Sequence, residues 1–177
     1  MNLKRMFKPS PARLAGEALY EAAIRQARRP EFYQALGAPD TIEGRFELYN
    51  LHVILLLHRL KGDRGAAADA AQALFDAFVG ALDHTLREMG VGDLTVPKKM
   101  RRLGEAIYGR VKAYDTALAA RDLAELSALL DRTVFEGAAD AGRAAMAAYV
   151  LACADRLAAQ PLADILEARP DWPAAPA

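Results

Sequence analysis

The sequence predicts an all-α protein, a single compact bundle of about seven helices with mobile N- and C-terminal tails. Three observations carry that reading. Apolar residues recur every three to four positions over long segments. No alternating run rich in Val, Ile and Thr is bounded by turn residues, as strands require. Ser, Asp, Pro and Gly stand where helix starts and stops need them. At 177 residues the chain suits one domain, and a chain of that size buries roughly 70% of the surface its unfolded form exposes. The expected division is a basic tail at 1–9, a helical domain at 10–168 and a proline-rich tail at 169–177.

Ser10 followed by Pro11 reads as an N-cap and first helical position. The helix they open runs to about Arg29, with Leu19 and Ala23, and Tyr20 and Ile24, stacked on one side. Pro30 opens a short second helix through Phe32, Tyr33 and Leu36, ended by Gly37. Asp40, with Glu43 three residues on, resembles a capping box for the third helix, which stops near Lys61 before Gly62. Its last turn holds His58, Arg59 and Lys61, cations that suit the negative end of the helix dipole. The fourth helix, about Ala66 to Met89, carries the stripe Ala71, Leu74, Phe75, Phe78, Leu82, Leu86 and Met89, and Gly90 ends it. After a loop at Val91 to Val96, Pro97 opens the fifth helix, with Met100, Leu103, Ile107, Val111, Tyr114 and Leu118 inward. Asp122 and Glu125 cap the sixth, which turns Leu126, Leu129, Leu130 and Val134 inward. Gly137 separates it from the seventh, about Asp140 to Ala159, with Met146, Tyr149, Val150, Cys153 and Leu157 inward. Pro161 starts a short helical piece to Ala168, and RPDWPAAPA closes the chain.

Composition narrows the function. Lys plus Arg and Asp plus Glu both total 23, which argues against a globally basic nucleic-acid binder while leaving local patches open. The single cysteine, Cys153, forms no internal disulfide and suits a reducing, cytoplasmic compartment. The start, MNLKRMFKPSP, has basic residues but no apolar run or cleavage site behind them, so no secretory signal is expected. Phe46 to Leu60 is the longest apolar stretch. It is too short to span a bilayer, contains Glu47, Asn50, His52, His58 and Arg59, and reads as a buried core helix.

Enzyme motifs are missing: there is no GxGxxG, no phosphate-loop Gly–Lys pair, no CxxC and no GxSxG. Ser10 and Ser127 are the only serines, one at a cap and one inside a helix. Cys153 reads as a small core residue rather than a reactive thiol. His52 and His58, six apart, point about 120° from each other around a helix. The spacing of His84 and Glu88 is one that arises often by chance. We therefore expect no enzyme, no metal and no cofactor.

Two features point to macromolecular contact. Arg45, His52 and Arg59 recur at sevens and make a basic stripe broken by Tyr49 and Leu56. Such a stripe is a solvent-facing edge, a line paired with acids of a neighbouring helix, or a polar line beside an apolar groove that grips a client. In PKKMRRLGEAIYGRVKAYD, Lys98, Lys99, Arg101, Arg102, Arg110 and Lys112 face only Glu105 and Asp115. Lys98, Lys99, Arg101 and Arg102 crowd the first turns, where the dipole disfavours cations, which suits an anionic partner as well as a plain solvated face. Lys4, Arg5, Lys8 and Arg13, interleaved with Leu3, Met6 and Phe7, make a basic tail or an inner-membrane contact.

These segments also carry a resemblance. DTIEGRFELYNLHVILLLHRLKG, Asp40 to Gly62, and LREMGVGDLTVPKKMRRLGEAIYGRVKAYDTAL, Leu86 to Leu118, resemble in order and spacing the two blocks of the ubiquinol–cytochrome c chaperone family. The resemblance implies an assembly chaperone for complex III that binds newly made cytochrome b, with the ribosome and the cytoplasmic face of the inner membrane as further contacts. It carries over Asp40, Phe46, Leu51, His52 and Arg59 from the first block. From the second come Lys98, Lys99, Met100, Tyr108, Gly109, Tyr114 and Asp115. Arg45 joins them as a client residue, and Lys98, Lys99, Arg101 and Arg102 as the anion-binding set. The sequence departs from mitochondrial members at Gly44 and Ile54, where they carry aromatics, which implies a differently shaped client groove. A ribosome- or RNA-binding module acting through residues 97–112 stays open as the alternative, as does a haem-binding bundle using His52, His58 or His84. No oligomeric state follows from the sequence.

Overall fold

The computed structural model describes residues 10–136 and 142–175. The basic tail at 1–9, Gly137 and Asp140 lie outside them. In chain order the helices are α1 (Pro11–Ala27), α2 (Glu31–Gln34), α3 (Ile42–Leu60), α4 (Ala66–Glu88), α5 (Val96–Ala120), α6 (Leu123–Arg132), α7 (Arg143–Ala159) and α8 (Leu162–Leu166). No strand occurs among the described residues. The short helical piece expected after Pro161 is α8.

Helix starts follow from the need to satisfy the first free N–H groups. Ser10 Oγ accepts from the Arg13 amide at 3.1 Å, and Asp122 Oδ1 from the Glu125 amide at 3.0 Å, as the sequence predicts. At α3 the cap is Thr41, not Asp40: Thr41 Oγ1 accepts from the Gly44 amide at 3.1 Å. Asp40 stands one residue too early to reach those amides. Its carboxylate instead takes the Arg45 Nε–H at 2.6 Å. Gly37, Gly62 and Gly90 all adopt positive φ just beyond helical turns, the conformation that suits glycine.

An α3 that is apolar on every side has to be central. Leu48, Leu51, Val53, Ile54, Leu55, Leu56 and Leu60 are all buried, and α1, α4, α5 and α7 pack around them. The closest approach is between α1 and α4. A Cβ added at Gly16 would run into the backbone of Ala73 and Leu74. On the far side Leu126 and Leu130 of α6 join Met146, Val150 and Leu157 of α7 in the same core.

The proline-rich segment does not stand apart from the bundle over residues 169–175. Trp172 packs on the core, and its ring meets the His52 ring edge-on at 5.4 Å. Gln160 holds this segment at both ends of its amide. Its Nε2 donates to the Arg169 carbonyl at 2.6 Å and its Oε1 accepts from the Asp171 amide at 2.9 Å. Proline forbids a helix there but does not forbid docking.

One part of the fold leaves the core. Between Phe78 of α4 and Ile107 of α5, Val96 alone is buried. The end of α4 beyond Leu82 and the first ten residues of α5 thus form a helical hairpin reaching about 10 to 15 Å past the core, at 1.5 Å per residue. Met89, expected inward, is 60% exposed, and Leu94 in the turn is 98% exposed. Leu86, Met100 and Leu103 are half-buried and stand outside the main core cluster.

Candidate interaction surface

The residues singled out from the sequence separate into two groups. Leu51, His52 and Tyr114 are buried, so they shape the bundle from within. His52 is at the centre of a closed polar network. Its Nδ1–H donates to the Leu48 carbonyl at 2.8 Å, which leaves Nε2 to accept from the Tyr149 hydroxyl at 3.0 Å. The Tyr149 oxygen accepts in turn from Gln26 Nε2 at 2.9 Å. Phe32 closes the cluster, edge-on to both His52 and Tyr149. Burial lowers the His52 pKa to about 4 against the opposing pull of the Leu48 carbonyl, so the ring is neutral at physiological pH. Burial also pushes the Cys153 thiol up to about 12, which keeps it protonated.

The basic stripe on α3 does not survive as a surface. Arg45 is exposed and bonded to Asp40, His52 lies inside, and Arg59 is turned onto the end of α7. There its Nε–H donates to the Leu157 carbonyl at 2.7 Å and another N–H to the Gln160 carbonyl at 3.3 Å, while Asp63 takes a third at 3.0 Å. A cation at those free carbonyls suits the negative end of α7. Sevenfold spacing places the three residues on one side of α3, but neighbours cover that side from His52 onward and leave only Arg45 exposed. Phe46 is half-buried and stacks on Phe78 at 6.4 Å. Gly44 and Ile54 are buried as well, with the Pro39 carbonyl filling the space beside Gly44. Both positions therefore serve packing inside the bundle.

Two ion pairs tie α5 to α3. Arg110 grips Glu47 through both oxygens, at 2.9 and 2.5 Å. Burial pushes the Glu47 carboxyl up, and Arg110 pulls it only part of the way back. Asp115 accepts from His58 Nδ1 at 2.7 Å and Lys61 Nζ at 2.7 Å. Partial burial acts to raise its carboxyl, but those two bonds outweigh it and hold the group below the usual range. Burial pushes the Tyr114 phenol up to about 12, and its oxygen lies 3.2 Å from Thr133 Oγ1.

Apart from the exposed Asp40–Arg45 pair, the second group is open to solvent on α5. Lys98, Lys99, Arg101 and Arg102 are exposed in the first two turns, and Tyr108 is 75% exposed. Lys98, Arg101, Glu105, Tyr108 and Lys112 follow one another at helical spacing along one face. A Cβ added at Gly104, one turn before Tyr108, or at Gly109 beside it would meet no atom within 4 Å. Met100 is half-buried on the other side of α5. Among the described residues no three His, Cys, Asp or Glu side chains converge as metal ligands. His58, His84 and His52 each face a different partner: Asp115, Glu88 and Tyr149.

A second concavity was not foreseen. A cleft of about 1100 Å³ opens between the start of α1 and α4, floored by Ala12, Ala15, Ala73 and Ala77 and edged by Glu17 and Asp76. Its alanines read in the sequence only as helix formers. The exposed Leu94 was missed as well. Its signal is an apolar residue inside the glycine-rich turn GVGDL.

Comparison with known proteins places this architecture. The ubiquinol-cytochrome C chaperone family profile matches residues 34–172. The chain is 24% identical over 110 residues to ubiquinol-cytochrome-c reductase complex assembly factor 1 of Xenopus laevis. That alignment covers 62% of this chain and 55% of the relative, so the chain spans about half the length of the curated protein it matches. The crystal structure of the Cbp3 homolog from Brucella abortus superposes with a TM-score of 0.85 at 36% identity, over 99% of this chain and 98% of that one. With a family match over most of its length and the same fold in a bacterial relative, the chain belongs to the ubiquinol-cytochrome C chaperone family.

Proposed function

We propose that this protein is a non-enzymatic assembly chaperone for the ubiquinol–cytochrome c reductase complex, and that it holds newly made cytochrome b against the outer face of α5. The observation that carries the assignment to this face is Tyr108. A 75% exposed aromatic is bordered by open space at Gly104 and Gly109, a flat site on which a client helix can lie. Covering a tyrosine removes on the order of 150 Å² from water. That is roughly 4 kcal/mol gross at 25 cal/mol per Å², before the costs of association. Aromatic anchors of this kind dominate many interfaces. The alanine cleft competes for the same role. Its α1 wall lies outside the family match and its α4 wall inside it, whereas all of α5 lies inside.

Photocrosslinking separates the two. A crosslinking amino acid is placed at position 108 or at the exposed position 80 of the cleft, in cells that make cytochrome b. Adducts with cytochrome b at 108 and not at 80 are expected. Adducts at 80 alone move the client to the cleft, and adducts at neither position remove cytochrome b as the client. Tyr108→Ala, in a strain lacking the native gene, is expected to lower assembled cytochrome b while the protein's thermal midpoint stays unchanged.

A further inference from the structure

We propose that the tip of the α4–α5 hairpin docks on an anionic phospholipid surface, with Leu94 and Met89 entering the headgroup layer and Lys98, Lys99 and Arg102 bonding lipid phosphates. Three observations support this. The first is apolar exposure at a point: Leu94 is 98% exposed and Met89 60%, and both belong to the outermost turn of a hairpin in which Val96 alone is buried. The second is uncompensated charge. The acids on the hairpin already have partners of their own: Asp83 and Asp93 share Arg87, Glu88 contacts His84, and Glu105 contacts Arg101. Lys98, Lys99 and Arg102 have no acid partner among the described residues and lie in the two turns that follow the tip. The third is that no helix among the described residues is long and apolar enough to cross a membrane, so contact through these helices is peripheral.

Physical chemistry selects lipid over the other anions. Phosphate groups on RNA would satisfy the bases but leave Leu94 and Met89 in water. An apolar tip with cations one to two turns behind it matches a surface whose charged phosphates overlie acyl chains. Lys98 and Lys99 follow Leu94 by four and five residues and Arg102 by eight, about 6 to 12 Å at a helical rise of 1.5 Å per residue, so their long side chains can reach the phosphates. The tip also lies on the helix that carries Tyr108. A client emerging from the bilayer would meet α5 at the surface, although tip docking does not depend on that reading.

The test is sedimentation of the full chain with phosphatidylcholine vesicles, with and without phosphatidylglycerol. Binding is expected only when phosphatidylglycerol is present and should fall as salt rises. Lys98→Glu/Lys99→Glu/Arg102→Glu is expected to weaken it on the order of a hundredfold, from the usual contribution per base near such a surface. Leu94→Ser should weaken it several-fold at unchanged charge. All four side chains are exposed, so circular dichroism should match the parent. Three outcomes overturn the proposal: no binding to anionic vesicles, binding that the variants leave intact, or displacement by a single-stranded RNA whose own binding ignores Leu94→Ser. Because the readout is lipid and not client, the crosslink at position 108 and tip docking can fail separately.

Discussion

Replacing His52 by Gln removes the one group of the buried cluster that changes charge near neutral pH. Its pKa is lowered to about 4 in the folded protein, from an ordinary 6.5, because it is fully buried between Leu48, Tyr149, Phe32 and Trp172. The unfolded chain then binds more protons than the folded one throughout that interval, so stability rises with pH across it. The His52 contribution is complete above about pH 6.5 and is lost as the pH falls towards 4. From pH 7 to 5 the loss comes to about 2 kcal/mol, and by pH 4 to about 3 kcal/mol. Tyr149 and Cys153, the other titratable members of the cluster, both have raised values and stay neutral in this window. Glutamine keeps one donor for the Leu48 carbonyl and one acceptor for the Tyr149 hydroxyl. Urea unfolding at pH 7, 6 and 5 gives the stability of each protein. The parent should lose about 2 kcal/mol more than His52→Gln between the end points. Parallel pH dependences would show that the imidazole is not desolvated as the packing requires.

Three further outcomes test the packing. Gly16→Ala gains about 1 kcal/mol of helix propensity but drives a methyl into the backbone of Ala73 and Leu74, so it should be net destabilising by about 1–3 kcal/mol. Gly80→Ala, where a Cβ meets nothing, should stabilise by up to about 1 kcal/mol, and thermal unfolding reads both. Arg110→Ala leaves Glu47 buried without its partner and should cost about 3 kcal/mol, lowering the midpoint by about 6–12 °C; adding Glu47→Leu should return most of it. Gln160→Ala removes two of the bonds that hold residues 169–172, leaving those of Arg156 to the Asp171 carboxylate and the Trp172 carbonyl. Emission from Trp172, the only tryptophan, should then shift red at a lower urea concentration than the helical circular dichroism signal falls.

The helices were legible in the sequence because their signals are local. A Ser10–Pro11 start, an Asp122 cap and glycines past the ends act through neighbours a turn away, and these placements held. Asp40 was assigned the cap that Thr41 fills because the capping-box spacing from Asp40 to Glu43 looked sufficient. The position where the backbone leaves the extended region decided the matter. Periodicity identifies which face of a helix is apolar but not whether anything covers it. Met89, Met100 and Leu103 belong to clean stripes, yet their stretch of hairpin extends past the other helices. Conversely, Arg45, His52 and Arg59 looked like an edge by spacing, while α1, α4, α5 and α7 surround α3. Trp172 was out of reach of any local rule, since its contact is with a ring 120 positions earlier.

The fate of the two motif blocks shows why a family pattern is a poor map of a binding face when it is read without coordinates. Nearly every residue carried over from the first block is occupied inside the protein: His52 in its network, Arg59 on the end of α7, and Leu51 in the core. The second block divides, with Tyr114 and Asp115 anchoring α5 to the bundle while Tyr108 and the four bases remain bare. These are two halves of one requirement. A helix can offer one side to a partner only if its other side is fixed, and α5 is fixed at Ile107, Arg110, Tyr114, Asp115 and Leu118 while Tyr108 faces outward among them. The segment before Ile107 has few core contacts to lose, so it is the part of the bundle that can adjust to a partner's shape at least cost. A preformed deep pocket would suit one rigid ligand. An exposed half-helix, held firmly at its far end, suits a chain that has not yet folded.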